Sequence, residues 1–282
     1  MPDMSASTLT FIGTATTLLE LGPFRLLTDP NFLHQGQRAY LGKGLTAKRL
    51  TEPAMDPRDL PPLDAVVLSH LHGDHWDRVA HKHLDPDVPI LTTPQAARRL
   101  RARLRPRRAV GLRTWQSRET TRDGYTLRVT ALPARHAPGA AQALLPSVMG
   151  SLLEVGPSDG SQPPDRVYLS GDTLVVDELT EIARRHPHID TAVLHLGGGT
   201  LPGGLVVTMD GEQGARLFEL LTPGQAVPVH YDDYGVFKSP LQDFLDVMSR
   251  RGLRDRVTTV ARGHTVEVGR VSAVGRDSAG SG

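Results

Sequence analysis

A chain of 282 residues, 39% hydrophobic and 22% charged, is long enough to bury a core without disulfides or structural metals. A formal net charge of +1 provides no global field for drawing in nucleic acid or an anionic membrane, so any electrostatic attraction has to be local. The absence of cysteine removes disulfides and thiolate ligands together and leaves any metal to imidazole and carboxylate, which directs attention to the 12 histidines.

The first seven residues lack a basic run followed by an apolar core, and no apolar stretch is long enough to span a bilayer, so a cytoplasmic location is expected. Residues 9–12, 16–21 and 24–28 are short apolar or β-branched runs separated by Gly13 and by Gly22-Pro23. They read as antiparallel strands joined by tight turns. Beyond a proline-rich stretch around Pro53, Pro57 and Pro61-Pro62, the continuous apolar run 65–68 reads as a fully buried strand. Thr93-Pro94 is an N-cap and first-turn pair opening a helix to about Leu104, where Pro106 stops it. Further strands are expected near 127–132, 151–155, 167–169, 192–196 and 226–229. Helices are expected at 177–185, 210–221 and 239–250, the last with Ser239 as N-cap and Pro240 at its first position. The small polar tail from residue 272 is expected to fray.

Leu18-Leu19-Glu20-Leu21-Gly22-Pro23 precedes a strand ending in Thr28-Asp29, and Leu152-Leu153-Glu154-Val155-Gly156-Pro157 precedes one ending in Gly171-Asp172. The echo suggests one domain, residues 1–271, built of two related halves at about 1–135 and 136–271. Each half would supply a sheet covered by helices on one side, and packing the sheets face to face gives an α/β fold of four layers, an αββα sandwich. Recurrence by chance of ordinary hairpin vocabulary is the alternative.

The run His70-Leu71-His72-Gly73-Asp74-His75 follows the buried strand directly. In an extended segment His70, His72 and Asp74 fall on one side, while His75 departs as the chain turns toward a helix. Four ligand-type side chains in six residues are too many for one ion to reach easily, whereas two ions can share them. A histidine-rich surface loop with a helix N-cap at Asp74 or Asp77 is the competing reading. It is weakened by His136, Asp172 and His230, which also follow predicted strands and place ligand chemistry on one rim of a sandwich.

This pattern of His-x-His-x-Asp-His, a later His, Gly-Asp-Thr and a late His resembles the metallo-β-lactamase superfamily over about residues 9–268. Thr28-Asp29-Pro30, Gly197-Gly198, Thr208-Met209-Asp210 and Pro228-Val229-His230-Tyr231-Asp232 are similar to the branch containing ascorbate-6-phosphate lactonase and N-acyl-phosphatidylethanolamine phospholipase D. The resemblance implies that His70, His72 and His136 hold one metal, that Asp74, His75 and His230 hold a second, and that Asp172 bridges them. It implies two divalent ions, zinc first with manganese or iron as alternatives, and a bridging hydroxide that attacks the substrate. Asp74 is the expected catalytic residue, orienting the water and taking its proton.

His195, between Leu194 and Leu196, departs from the branch's pattern and reads either as a substrate contact or as a core side chain. His264 competes with His230 for the late ligand position. Tyr231, Tyr234 and Asn31 are candidate substrate donors, and Asp29 and Asp210 are candidate supports for ligating histidines or a turn and an N-cap. His34, His81, His83, His186 and His188 lack comparable context. Gly197-Gly198-Gly199 permits close backbone approach but has no Walker lysine, so no P-loop is read. Seven arginines occupy residues 98–108, yet Ala97, Leu100 and Leu104 at helical spacing mark a buried face under a solvated basic one.

The expected function is hydrolysis of an ester, lactone or phosphoester in a small-molecule substrate. A nuclease ranks below it, because the charge is balanced and no aromatic platform interleaves the arginines. A non-catalytic metal-binding protein is the third reading, and the complete set of seven ligand positions weighs against it.

Overall fold

A computed structural model describes residues 6–103 and 105–270. In spatial order its first sheet consists of Thr265–Glu267, Thr8–Gly13, Thr16–Leu21, Phe24–Thr28, Ala65–Val67, Ile90–Thr92 and Ala109–Gly111. The second consists of Gln225–Val229, Thr191–His195, Asp165–Leu169, Gly150–Pro157, Tyr125–Leu132 and Ser117–Arg122.

Alternation along the strands divides their side chains between layers. Leu19, Leu21, Val67, Val129, Leu153 and Val193 belong to one apolar layer between the sheets. Leu18, Leu27 and Val66 leave the other face of the first sheet and meet Ala80, Ala97 and Leu100 from the helices Arg78–His83 and Pro94–Arg101. Leu152, Tyr168, Ala192 and Leu194 leave the second sheet and meet Ile182, Phe218 and Phe244 from the helices Thr180–Arg185, Gly211–Leu221 and Leu241–Arg250. Helix, sheet, sheet and helix make the αββα sandwich read from the sequence.

In each sheet an antiparallel hairpin gives way to parallel strands. Thr16–Leu21 and Phe24–Thr28 are antiparallel, after which Ala65–Val67 runs parallel. Gly150–Pro157 and Asp165–Leu169 are antiparallel, after which Thr191–His195 runs parallel. The sequence echo falls on these two hairpins. The register aligns Ala131, Ser151, Leu169, Val193 and Val227 across the second sheet, so His136, Asp172, His195 and His230 all emerge at one rim.

Several expectations need correction. The sheets do not divide at residue 135, because Tyr125–Leu132 pairs along its whole length with Gly150–Pro157 and carries Ser117–Arg122 into the second sheet. Thr265–Glu267 returns to the first sheet beside Thr8–Gly13. The helix expected at 94–104 ends at Arg101, and Leu104 and the tail from residue 272 lie outside the described residues. Ser239 does not cap the last helix. Its hydroxyl donates to Asp243 and accepts the amide of Gly211, tying two helix starts together, while Leu241–Arg250 begins after Pro240. Asp210 does cap Gly211–Leu221, its carboxylate accepting the Gln213 amide at 2.8 Å.

Two small hairpins project from the sandwich, Arg38–Gly42 with Leu45–Lys48 and Thr200–Leu201 with Leu205–Val206. Among the described residues no helix is long and apolar enough to cross a membrane.

Candidate metal centre

At the rim the predicted residues converge. His70 Nε2 and His136 Nε2 lie 3.0 and 3.1 Å from His72 Nδ1, so three imidazoles aim at one point. Asp74, His75 and His230 form a second cluster, with His230 Nε2 3.6 Å and His75 Nε2 3.9 Å from Asp74 Oδ2. Asp172 lies between them, 3.4 Å from His75 Nε2 and 3.6 Å from His230 Nδ1, and its ligand atoms also cluster with His70. All of these side chains are buried except His72, which is partly open to solvent.

Hydrogen bonds on the far side of each ring select the nitrogen that faces the cluster. His136 Nδ1 donates to the Val207 carbonyl at 2.6 Å and His230 Nδ1 to the Leu196 carbonyl at 3.2 Å, so each ring turns its Nε2 inward. The Ser69 hydroxyl donates to Asp29 Oδ2 at 2.8 Å and therefore accepts from His70 Nδ1 at 3.0 Å. The same Asp29 oxygen takes His75 Nδ1 at 3.1 Å. Sequence reasoning named Asp29 but missed Ser69, for which its position between the buried strand and His70 is the available signal.

Backbone geometry holds these groups at a cost. Thr14, Asp29 and His230 have φ of 55°, 36° and 64°, left-handed conformations that cost a residue with a side chain about 1–3 kcal/mol. They are pinned in place: the His230 amide donates to the Thr14 carbonyl and the Thr14 amide to Asp233, both at 2.8 Å. Arg49 is fully buried, donating to Asp233 at 3.3 Å and to the Asn31 carbonyl at 2.9 Å. Asn31 donates in turn to the Gly73 carbonyl at 2.9 Å, linking the His70–His75 loop to the His230 loop. Gly73 is required sterically, since a Cβ there would lie 2.6 Å from the backbone nitrogen of Tyr40.

The two clusters differ electrostatically. Burial pushes His70 well below its ordinary value, helped by the neighbouring charges of His75 and His72. Burial likewise takes His72 to about 3 and lowers His136. Around the second cluster burial is outweighed. Asp172, Asp29 and Asp74 raise His75 well above the usual range, and Asp172 and Asp74 raise His230. Burial alone would raise the carboxyls, but His75 and His230 hold Asp74 and Asp172 low, and His75 and His195 bring Asp29 to about 2.

Asp74 Oδ1, Asp172 Oδ1 and the Nε2 atoms of His75 and His230 are buried with no hydrogen-bond partner. Leaving such groups unpaired costs about 1–3 kcal/mol each, a cost relieved when a cation accepts their lone pairs. Imidazole and carboxylate donors of this kind suit zinc, manganese or iron, so the residues fit the metal implied by the sequence resemblance.

Other candidates lie elsewhere. His264 is exposed, its Nδ1 beside the Arg262 carbonyl, and is not part of the cluster. Asn31 is not a substrate donor: its amide is committed to Gly73 and Asp77, and its Oδ1 accepts from Thr14 and from the buried Tyr234 hydroxyl. His195 lies behind His75, stacked at 6.1 Å and 3.3 Å from Asp29, where it meets protein rather than an open face. Tyr231 is half-buried against Phe11, and burial pushes its phenol up to about 12. Gly197 admits close approach by the protein's own backbone, since a Cβ there would lie 2.5 Å from the His230 carbonyl oxygen. In the arginine-rich segment Ala96, Ala97 and Leu100 are buried, and Arg107 is drawn in by the Leu84 and His81 carbonyls.

A family described as Beta-lactamase superfamily domain matches residues 25–231, and the chain belongs to the metallo-β-lactamase superfamily. An uncharacterized protein of Mycobacterium tuberculosis is 28% identical over 245 residues, which are 84% of this chain. The match spans 62% of that relative's length. A UPF0173 metal-dependent hydrolase of Deinococcus radiodurans is 28% identical over 257 residues, covering 87% of this chain and 93% of its own. The isothiocyanate hydrolase from Delia radicum gut bacteria shares the fold at a TM-score of 0.75 and 21% identity, over 93% of this chain and 99% of its own.

Proposed function

We propose that the protein is a metal-dependent hydrolase that uses two divalent ions, zinc first among them, to cleave an ester, lactone or phosphoester bond in a small molecule. The observation that carries this reading is the pair of three-residue clusters joined through Asp172. His70, His72 and His136 would hold one ion and Asp74, His75 and His230 the other, with Asp172 shared. When bound, such ions polarise a substrate oxygen and lower the pKa of coordinated water.

The chain's own groups orient and accept. Val207, Leu196, Ser69 and Asp29 fix the imidazole rings so that little rearrangement is needed when ligands engage. Asp74 Oδ2 faces His230 and His75, while Asp74 Oδ1 is unpartnered and is the atom assigned to accept the proton of the attacking water. Its carboxyl, held low by His75 and His230 against the effect of burial, is ionised and ready to accept at neutral pH.

The test combines metal counting with hydrolysis of an acyl lactone and of bis(4-nitrophenyl) phosphate by zinc- and manganese-loaded protein. Two ions per chain and turnover of either substrate are expected, and both are expected to fall in His72→Ala. Full activity in that variant, or fewer than one tightly bound ion in the parent, overturns the reading.

A further inference from the structure

Three excursions from the sandwich meet beside His72. They are the hairpin Arg38–Gly42 with Leu45–Lys48, the 3-10 segment Gly139–Leu144, and the hairpin Thr200–Leu201 with Leu205–Val206. Together with the first turns of Pro94–Arg101 they enclose a groove of about 650 Å³ whose lining includes His72. That volume falls within the ~300–1,000 Å³ range of small-molecule sites.

The groove is apolar along its length and cationic at its edge. Leu45, Leu71, Leu144, Leu145, Leu201 and Leu205 line it. Tyr40 and Leu144, each 58% exposed, are two of the three large hydrophobic side chains exposed among the described residues, and both belong to this lining. Isolated exposed apolar residues need no explanation, but their concentration in one concave surface marks a binding site. Among the described residues the only charged side chains lining the groove are Lys43 and Arg99, both exposed and neither in an ion pair. No carboxylate among the described residues lines it.

The groove is also held in register with the ligand cluster. The Gly73 amide donates to the Tyr40 carbonyl at 2.9 Å, and the absence of a side chain at Gly73 lets the hairpin sit directly on the His70–His75 loop. Gly42 brings the same hairpin close to His72 Nε2, which would be 3.9 Å from a Cβ at that position.

We infer that the substrate is an anionic amphiphile: the groove takes its hydrocarbon chain, Lys43 and Arg99 meet its negative charge, and its labile bond is presented at His72. This rests on the hydrolase reading for the bond that is broken, while the recognition of chain and charge is a property of the groove itself. Leucines on three separate excursions suit an unbranched chain better than a polar sugar or base, which would leave its hydroxyls and amides facing apolar walls.

The test measures binding apart from turnover, by isothermal titration calorimetry of the metal-loaded full chain with alkane-1-sulfonates, whose headgroup is a weak metal ligand. Affinity is expected to rise about fourfold per added methylene from butane- to decanesulfonate, the gain from burying each CH₂. Leu144→Asp and Arg99→Glu are both exposed substitutions expected to keep the parent unfolding midpoint. Each is expected to weaken decanesulfonate binding at least about tenfold, and Arg99→Glu to favour decyltrimethylammonium instead. Equal affinity for short and long sulfonates, or decanesulfonate binding unchanged in both variants, overturns the inference. Self-association that depends on Leu144 without sulfonate binding also overturns it, in favour of a second copy covering the groove. Chain-length-dependent binding by a protein that retains fewer than one tightly bound ion would remove the hydrolase reading and leave the groove's specificity standing.

Discussion

The cluster of His70, His72 and His136 and the cluster of Asp74, His75 and His230 lie side by side but are built on opposite electrostatic principles. The first is three imidazoles whose pKa values burial drives down, so their lone pairs are present without a compensating charge. The second interleaves imidazoles and carboxylates that raise and lower one another. A cation in the first would keep more of its own charge for polarising a substrate, and a cation in the second would be more nearly neutralised. His72 is open toward the leucine-lined groove, so under the proposed function substrate would approach from the first side.

This contrast can be broken most forcefully at Asp172, which belongs to both sides. Asp172→Ala is expected to lose both ions by metal analysis and to lower hydrolysis by at least about 10³-fold, the scale of several kcal/mol of transition-state stabilisation. Retention of one full equivalent would show that the carboxylate serves a single cluster. His230→Ala is expected to remove one equivalent and leave the other, and loss of both would mean that the clusters do not bind independently. Asp29→Asn, which disturbs His75 directly and His70 through Ser69, is expected to weaken metal binding about 10–100-fold in competition with a chelator. Ser69→Ala removes the hydroxyl that joins His70 to the Asp29 carboxylate and is expected to weaken metal binding by at least about fivefold, about 1 kcal/mol for each hydrogen bond lost, with the larger effect at the first cluster. At the bottom of the scale, His264→Ala is expected to leave metal content and hydrolysis at parent values, because the side chain is exposed and apart from both clusters.

The six-residue histidine run and the histidines and aspartate that follow later strands were legible because ligand chemistry recurred at strand ends, and a sandwich brings such ends to one rim. The opening strands were legible from apolar runs punctuated by Gly13 and Gly22-Pro23. Ser117–Arg122 was not, because all six residues are exposed and polar and so carry no alternation to read. Of the two projecting hairpins, the first buries only Ala39, Leu41 and Ala47 and the second has no buried residue in its strands, although Gly42-Lys43-Gly44 and Pro202-Gly203-Gly204 are turn signals that mark them. Arg49 was out of reach for a different reason: its partner Asp233 is 184 residues away, and nothing local distinguishes a buried arginine from a solvated one. Asn31 reads as a candidate donor on the same ground, since only tertiary contact shows that its amide is already committed.

The left-handed residues at the rim set two kinds of fitness against each other. Glycine would relieve the backbone at Asp29 or His230 and would also delete a side chain on which the metal cluster depends. Selection for heat resistance alone would therefore push these positions toward glycine and yield a sturdier protein with an incomplete metal centre. Under the proposed function, the aspartate and histidine found there trade backbone ease for ligand chemistry at the very positions where the two conflict.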